Sequence, residues 1–473
     1  MCAHDGHVTQ IPGPRGPIAT AKVMSGLLSD PCPALDAAAA IYGPTFAVGV
    51  GPMRLVVVGD PAHLGELLSM PNDSFRWGHI LNTLGFFVGK GSMIVSDGDA
   101  HRRRRGHVQP SFARRHLDSW IPMILAETDR MIDDSILAHG APGGDASVEA
   151  LDLFPVERKL IMTIVLNVLF GRGLNQRVDE IEALMDPAKV YLEQSFVRQL
   201  PHPFPYTRRS RARNARRALD HLVDDEMARR RSSASADSHD LLDRLLAESS
   251  DDRLTDAEIR DQVITLIGAG YDTTTSSMAW TTLCAAADPD VWARLRTEAE
   301  TAFVTEPGPH TLRELPFAQA VVREALRLHP AGVFSPRQAV REVRIGEHVI
   351  RKGTFILWSP YLAGRDASAW HDPLTFRPER HLEPNPTTTT TTTTPPTTTP
   401  TAAPADAAWV PFGRGPRKCI GFALAQMELT LGIARLAQRV DITPESPELP
   451  RPYGMVVNRP TGGVRVRVSA QTS

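Results

Sequence analysis

The sequence predicts an α+β fold that is mainly α. Apolar residues recur with a helical period from about residue 113 to residue 295, whereas strand-like runs cluster near the N-terminus, between residues 341 and 361, and at the C-terminal end. Strands segregated from helices in this way favour an α+β arrangement over a repeated βαβ arrangement. We find no internal repeat with a period of about 20 to 50 residues, so a solenoid is not expected.

The predicted strands are bounded by turn residues. Near the N-terminus, TFAVGV and MRLVVVG are separated at Gly51 and Pro52, and GDP then begins a short helix. In REVRIGEHVIRKGTFILW, Gly346 and Gly353 mark turns between β-branched runs. A long helix is predicted in GFALAQMELTLGIARLAQRV, and GVRVRVS is predicted as a last strand.

The composition is that of an ordinary globular protein. The chain has 473 residues, 42% hydrophobic and 22% charged, and a formal net charge of -2, which argues against a bulk preference for nucleic acid. No apolar stretch reaches about 18 residues and the start lacks a signal-peptide pattern, so we expect no transmembrane segment and a cytoplasmic location. The four cysteines lack paired spacing, and His4 and His7 have no partner ligands nearby, so neither suggests a built metal site.

One cysteine lies in a basic loop just before a predicted helix. The segment FGRGPRKCIG fits F-x-x-G-x-R-x-C-x-G, with Phe412, Arg417, Cys419 and Gly421 among its fixed positions. A cysteine entering the first turn of a helix faces N–H groups and the positive end of the helix dipole, and the basic residues of the loop add positive charge. These features favour the thiolate, which is the nucleophilic and metal-binding form of cysteine.

Charged residues pair in two other segments. In FAQAVVREALRLHP, Glu324 and Arg327 stand three residues apart. In SDGDAHRRRRGHVQPSF, His101 and Arg105 are one helical turn apart and so share a face that suits an anionic group. We interpret the arginines between them, 102–104, as a solvated basic face.

These segments, together with LIGAGYDTTTSSMAW and TFRPERHL, resemble in type and order those of the cytochrome P-450 superfamily, from about Tyr42 to the C-terminus. The resemblance implies a bacterial, soluble haem-thiolate monooxygenase with a single domain over residues 41–473. Its fold is a triangular helical prism with minor β-sheets, with haem b between the oxygen-activating helix and the cysteine loop. Residues 1–40 are a Pro/Gly-rich lead, and residues 386–404 are a Thr/Pro-rich loop insertion, disordered or PPII-like.

The resemblance implies roles for the residues of the haem site. Cys419 is the axial thiolate ligand of the iron, and Phe412 shields its sulfur. Asp272 and Thr273 are the acid and alcohol that relay protons to dioxygen, favoured over a helix start at DTTT because apolar helical sequence lies on both sides. The other residues implied to contact the cofactor are His101, Arg105, Ala269, Gly270, Arg337, Arg417 and Gly421.

The resemblance also implies a structural triad. Glu324, Arg327 and Arg380 would form a buried ion-paired cluster that fixes the fold and performs no chemistry. His381 follows Arg380 where the family has an aromatic residue.

The implied partners are dioxygen and a hydrophobic small molecule such as a lipid, terpenoid or polyketide. Electrons come from a ferredoxin and an NAD(P)H-dependent ferredoxin reductase, because the chain has no flavin or iron–sulfur segment, and the basic surface around Arg414 and Lys418 is the expected docking face. We expect a monomer. The basic stretch Arg208–Arg217 is read as a solvated helix face, with weak contact to an anionic membrane as a minor hypothesis.

Two alternatives stay open. One is a peroxide-driven or rearranging enzyme of the same fold, against which Asp272 and Thr273 argue because such an enzyme needs no proton relay. The other is a haem-binding carrier or sensor without catalysis, which would show no substrate-induced spectral change and no NAD(P)H-dependent product.

Overall fold

Helices dominate the structure, as the sequence predicted. The computed structural model describes residues 10–49, 54–77, 82–139, 149–194, 196–199, 202–232, 240–382 and 408–470. The insertion expected at residues 386–404 lies outside these ranges, as do His4 and His7. In the described part of the chain, no helix combines the length and the apolar character needed to cross a membrane.

Fifteen helices can be numbered in chain order among the described residues. Their bounds are Pro17–Leu27 (α1), Pro31–Tyr42 (α2), Pro61–Ser69 (α3), Asn82–Val88 (α4), Gly98–Val108 (α5), Arg114–Met131 (α6), Leu153–Asn175 (α7), Val178–Leu192 (α8), Arg208–Ser232 (α9), Leu241–Ala247 (α10), Asp256–Ala286 (α11), Pro289–Ala302 (α12), Pro316–Leu328 (α13), Pro360–Ala363 (α14) and Phe422–Arg439 (α15). The first two fall largely in the segment that we expected to be a Pro/Gly-rich lead.

Twelve strands lie in the same described ranges. They are Thr45–Val48 (β1), Leu55–Val58 (β2), Phe75–Arg76 (β3), Glu149–Asp152 (β4), Ser335–Ala339 (β5), Val343–Ile345 (β6), His348–Ile350 (β7), Phe355–Trp358 (β8), Val440–Pro444 (β9), Pro452–Tyr453 (β10), Arg459–Pro460 (β11) and Arg465–Ala470 (β12). The strands predicted near the N-terminus, around residues 341–358 and at the C-terminal end are all present, which confirms the α+β, mainly α fold class.

The chain forms two compact units, the first from residues 1–77 and 323–419 and the second from residues 78–322 and 420–473. The first unit contains a five-stranded sheet in the order β1-β2-β8-β5-β3, in which only β2 and β8 run parallel, and the β6–β7 hairpin. Successive residues of β2 point to opposite faces, so Val56 and Val58 enter one apolar cluster and Val57 enters another. The sheet is therefore covered by apolar residues on both faces.

The second unit is organised by α11, which has 31 residues. A capping box starts this helix: Glu258 N donates to Thr255 Oγ1, and the Glu258 carboxylate accepts from Thr255 N. Nearly every side chain from Asp261 to Ala286 is buried, which is what an apolar sequence without a polar face predicts. The antiparallel sheet β4-β12-β9 and the β10–β11 pair belong to this unit as well.

Candidate active site

The loop that carries Cys419 is closed by backbone hydrogen bonds within the first unit. Cys419 N donates to Phe412 O at 2.9 Å, and Lys418 N donates to Gly415 O at 3.0 Å. The loop needs glycine at two turns, because Gly413 and Gly415 have φ values of 66° and 67°. Helix α15 begins at Phe422, so Cys419 precedes its first turn by three residues (422 minus 419) rather than lying in it.

Three described cysteines differ in how well they could present a thiolate. Cys419 is exposed, whereas Cys32 and Cys284 are buried. Burial raises the pKa of the Cys32 thiol to about 12, so that thiol stays protonated near neutral pH. Of the described cysteines, Cys419 therefore has the surroundings that suit an iron ligand.

Two guanidinium groups of the first unit fit an anionic ligand. Burial, with the charge of Arg417 added, lowers the pKa of Arg337 to about 10. The Arg337 Nε makes no hydrogen bond to the described residues, and its Nη1 reaches Leu67 O only at 3.5 Å. Arg417 lies over the ring of Trp77 at 5.3 Å. A buried cation with spare donors is costly unless a ligand compensates it, so this arrangement fits the carboxylates of haem.

The triad expected from the sequence is assembled in the first unit. Arg327 Nε and Nη2 each donate to Glu324 at 2.8 Å, and Arg380 Nε donates to the same carboxylate at 2.9 Å. His381 Nε2 adds a fourth contact with it at 2.9 Å. Burial alone would raise the pKa of Glu324, but the hydrogen bonds from Arg327 and His381 lower it to about 2.

Helix α11 is exposed at one place in its buried stretch. Ala269 is exposed and Gly268, Gly270, Asp272 and Thr273 are partly exposed, whereas the other residues from Asp261 to Ala286 are buried. The stretch from Asp261 to Ala286, otherwise surrounded by protein, thus presents one accessible patch near the middle of the helix. This patch contains four of the residues that the sequence singled out, and it fits a helix that faces a bound group.

At the same place in α11, a side chain forms a hydrogen bond to the helix backbone. Thr273 Oγ1 donates to Ala269 O at 2.6 Å, a hydrogen bond from the side chain to the backbone carbonyl one turn earlier. Asp272 and Thr273 lie well inside the helix, so DTTT is not a helix start. Gly270 has a role that was not foreseen: a Cβ there would lie 3.3 Å from Val165 of α7, so the glycine lets α7 pack closely.

Asp272 is held by an arginine that the sequence reasoning missed. The carboxylate accepts a hydrogen bond from Arg459 Nη2, and Arg459 Nη1 donates to Glu193 at 2.9 Å. The Arg459 side chain is 2% exposed. Glu193 also accepts hydrogen bonds from Met455 N (2.6 Å) and Val457 N (3.3 Å), so it joins the end of α8 to the loop before β11.

No local signal could have identified this network. Asp272 and Arg459 are 187 residues apart, and Arg459 stands in an unremarkable NRP sequence. An isolated arginine is usually solvated, and only the tertiary structure shows that this one is buried between two carboxylates.

The remaining predicted cofactor residues lie in the second unit. His101 is buried in α5, and Arg105 Nε donates to Gln109 Oε1 at 3.2 Å. A Cβ at Gly421 would lie 3.8 Å from the Phe112 ring. The contacts of these three residues neither require nor oppose contact with haem.

The basic segments are less solvated than the sequence suggested. Arg103 and Arg104 both pair with Glu258 of the α11 capping box, so the interpretation of these two residues as a solvated face is wrong. Arg102 keeps an exposed pairing with Asp99. In α9, Arg216 is largely buried and pairs with Asp220 and Asp261.

Comparison with known proteins identifies the family to which this chain is similar. The family model for cytochrome P450 matches residues 16–466. Putative cytochrome P450 139 of Mycobacterium tuberculosis is 29% identical over 86% of this chain and 87% of its own length. Pentalenene oxygenase of Streptomyces avermitilis is 28% identical over 91% of both chains.

Two further proteins are similar. Cyclooctat-9-en-7-ol 5-monooxygenase of Streptomyces melanosporofaciens is 29% identical over 85% of this chain and 83% of its own. A solved structure of a cyanobacterial CYP120A1 with bound retinoic acid superposes with a TM-score of 0.76 at 23% identity, covering 92% of this chain and 93% of that one, which supports the fold.

The fold class and the exposed-cysteine loop agree with this match over nearly the whole chain. The protein therefore belongs to the cytochrome P450 family and is a haem-thiolate monooxygenase.

Proposed function

We propose that this enzyme binds haem b through Cys419 and uses dioxygen to hydroxylate or epoxidise a hydrophobic small molecule of the terpenoid, lipid or polyketide type. When bound, haem with a thiolate ligand supplies the chemistry of dioxygen activation. One oxygen atom enters the substrate and the other leaves as water, which consumes two electrons and two protons. The chain's own residues bind the cofactor, orient the substrate and supply those protons.

The observation that carries this proposal is the partly exposed Thr273 alcohol beside the largely buried Asp272 carboxylate in the middle of α11. Thr273 Oγ1 lies on the exposed side of the helix with its hydrogen donated to Ala269 O, so its lone pairs can accept from a water molecule. Asp272 lies next to it and is oriented by Arg459. An enzyme that only rearranges its substrate, or uses peroxide, needs no such pair, so this observation favours a monooxygenase with a proton relay.

Two kinds of support favour a terpenoid-like substrate. Two of the similar proteins are named for the oxidation of pentalenene and of cyclooctat-9-en-7-ol, which are terpenoid compounds. The segment 455–457, which the family places near the substrate, is apolar and is held by Glu193. An apolar segment suits a hydrocarbon skeleton that offers few hydrogen-bonding groups.

For electrons, we propose a ferredoxin and its NAD(P)H-dependent reductase. Arg414 and Lys418 are partly exposed in the cysteine loop and give an acidic ferredoxin a basic partner. Arg414→Glu with Lys418→Glu should raise the KM for ferredoxin roughly tenfold at low salt, and the difference should shrink as salt screens the charges. Arg313→Glu, at an exposed arginine of the second unit, is the matched control.

The central test uses the purified ferric protein. Addition of terpenoids from a library should shift its spin state, and with ferredoxin, reductase and NAD(P)H the same compounds should yield a product carrying one atom from ¹⁸O₂. The reduced protein with carbon monoxide should show the red-shifted Soret band of a thiolate-ligated haem; Cys419→Ser should lose it and Cys284→Ser should keep it. Turnover with peroxide alone would instead support the peroxide-driven alternative, and spectral binding without any product would support a sensor.

A further inference from the structure

Three side chains of types that can bind a metal lie close together in the first unit, and none of them is among the candidate active-site residues. His63 lies in the first turn of α3, and Glu347 and His348 lie at the turn of the β6–β7 hairpin. Their ligand atoms all lie within 4.8 Å of one another. His63 Nε2 is 3.9 Å from Glu347 Oε2, and His348 Nε2 is 3.6 Å from Glu347 Oε1.

The two elements that carry these side chains are fixed to the same apolar core. One buried cluster contains residues of both elements: Leu64, Leu67, Leu68, Val343, Ile345 and Ile350. In addition, Glu66 Oε2 of α3 accepts a hydrogen bond from Gly346 N of the hairpin at 2.7 Å. The three side chains are therefore presented by elements of fixed relative position, which lowers the cost of ordering a site.

His63 is oriented by its other ring nitrogen. Its Nδ1 lies 3.1 Å from Thr45 Oγ1 and 3.9 Å from Asp60 Oδ1. In the tautomer that donates Nδ1–H to the threonine, Nε2 carries a lone pair and faces Glu347 at a distance too long for a hydrogen bond. A histidine held in this way by an oxygen acceptor is the usual arrangement of a metal ligand.

The turn leaves room at this nitrogen. Gly346 has a φ of 50°, and a Cβ at this position would lie 2.6 Å from His63 Nε2. Any other residue would thus occupy the space next to the lone pair. The glycine serves the turn and also keeps His63 Nε2 accessible.

We propose that His63, Glu347 and His348 bind a divalent transition-metal ion, for which Zn²⁺ is the natural probe. Two imidazole nitrogens and one carboxylate oxygen suit zinc, which accepts a water molecule as fourth ligand. Bonds of about 2.0 to 2.2 Å place tetrahedral ligand atoms roughly 3.3 Å apart, and rotation of the Glu347 side chain, which is 55% exposed, can close most of the present gaps. The ion would join α3 to the hairpin, independently of monooxygenase activity.

The test measures zinc bound to the haem-loaded, tag-free enzyme after treatment with a chelator. All variants carry His4→Ala and His7→Ala, and the protein with these two substitutions alone is the background protein. The N-terminal histidines then cannot contribute to the measured zinc binding. Equilibrium dialysis with elemental analysis should find one zinc per chain in addition to iron, and zinc should raise the Tm. Glu347→Gln should weaken binding at least about tenfold, and His63→Gln with His348→Gln should abolish it.

The controls separate a built site from loss of fold. Glu347 is exposed, so Glu347→Gln should leave the carbon monoxide spectrum and the zinc-free Tm unchanged. His371→Ala, at an exposed histidine paired with Asp372, should bind zinc like the background protein. Zinc that binds at no defined ratio, or equally well to the Glu347→Gln and background proteins, would overturn the proposal.

Discussion

Removal of the Thr273 hydroxyl should impair proton delivery without destabilising helix α11. Thr273→Ala should increase several-fold the share of NAD(P)H electrons that ends in peroxide, because the alcohol that positions water is lost. Thr275→Ala is the matched control, since Thr275 Oγ1 donates to Tyr271 O at 2.7 Å in the same helix but is buried. Product and peroxide formed per NAD(P)H are the measurement; wild-type coupling in Thr273→Ala would remove Thr273 from the relay.

His381 has a role in the structure that its sequence position did not predict. It replaces an aromatic residue of the family pattern, yet its Nε2 lies 2.9 Å from the buried Glu324 carboxylate. Burial lowers the pKa of His381, although Glu324 opposes this, so the neutral ring serves as an N–H donor. Spacing located Glu324 and Arg327, but whether the residue after Arg380 packs or donates depends on a carboxylate 57 positions away.

Replacing that donor should destabilise the first unit. His381→Phe restores an aromatic ring but leaves one oxygen of a fully buried carboxylate with a partner fewer, which should cost about 1.5 to 3 kcal/mol and lower the Tm. His371→Phe, at a histidine with a side chain 80% exposed, should change little. Thermal unfolding followed by circular dichroism and by the haem spectrum measures the difference; an unchanged Tm in His381→Phe would show that the ring merely packs.

At the scale of elements, Arg459 links α8, α11 and the strand β11. Arg459→Met keeps the length of the side chain but leaves Asp272 and Glu193 without their shared cation, which should cost about 3 to 5 kcal/mol in stability. Arg467→Met on β12 removes an exposed arginine and is the control. The loss should be measured as a fall in Tm and in coupled turnover.

A double-mutant cycle tells whether Arg459 acts through Asp272. If it does, Asp272→Asn should reduce the effect of Arg459→Met on coupling, with an interaction of about 1 kcal/mol or more. Additive effects of the two substitutions would instead mean that Arg459 only supports the fold.

Helix α15 carries a carboxyl group that makes stability depend on pH. Burial raises the pKa of Glu428 from an ordinary value of 4.5 to about 8, and its Oε1 makes no hydrogen bond to the described residues. Between these two pKa values the folded state holds a proton that the unfolded state has lost. Stability therefore falls as pH rises, by about 1.4 kcal/mol per pH unit for one proton.

Glu428→Gln should remove this dependence. From about pH 6 to pH 8 the Tm of the variant should fall less than that of the wild type, although Glu157, whose pKa burial also raises to about 8, retains its own contribution. Glu300→Gln, at an exposed position of α12, should follow the wild-type curve. Parallel curves for Glu428→Gln and wild type would show that Glu428 is ionised in the folded protein.

Elements were predictable where a local pattern determines them. The apolar run predicts α11, and Gly346 and Gly353 mark turns between short strands, so the fold class followed from periodicity, turn residues and the segregation of strands from helices. The salt bridges of Arg103 and Arg104 were not predictable, because their partner Glu258 is more than 150 positions away. The same holds for the convergence of α3 and the β6–β7 hairpin.

At the scale of the whole molecule, the first unit combines two chain segments that are distant in sequence, residues 1–77 and 323–419. No local sequence pattern predicts such an assembly, and the family resemblance implied a single domain over residues 41–473. That residues 41–473 form a single domain stays a prediction. This single-domain prediction concerns the Thr/Pro-rich tract at 386–404, because the tract would be a linker if the chain had two domains.

Both sides of this tract are anchored on neighbouring residues of α13. On the N-terminal side, Arg380 and His381 bind Glu324. On the C-terminal side, Trp409 Nε1 donates to Arg323 O at 3.0 Å, and the Arg323 guanidinium lies 4.4 Å from the centre of the Trp409 ring. The chain therefore leaves and rejoins the same helix within the first unit, which argues for an insertion rather than a linker.

Replacing residues 386–404 by four Gly/Ser residues should accordingly leave haem content, carbon monoxide spectrum and coupled turnover intact. The stretch 383–407 would shrink from 25 to 10 residues (25 minus 19 plus 4), still long enough to span up to about 33 Å. If the tract is the disordered or PPII-like loop that its sequence predicts, a shorter loop costs less closure entropy and stability should rise by about 0.8 kcal/mol. Trp409→Ala cuts an anchor instead and should destabilise the unit; haem loss on shortening alone would show that the tract supports the cofactor site.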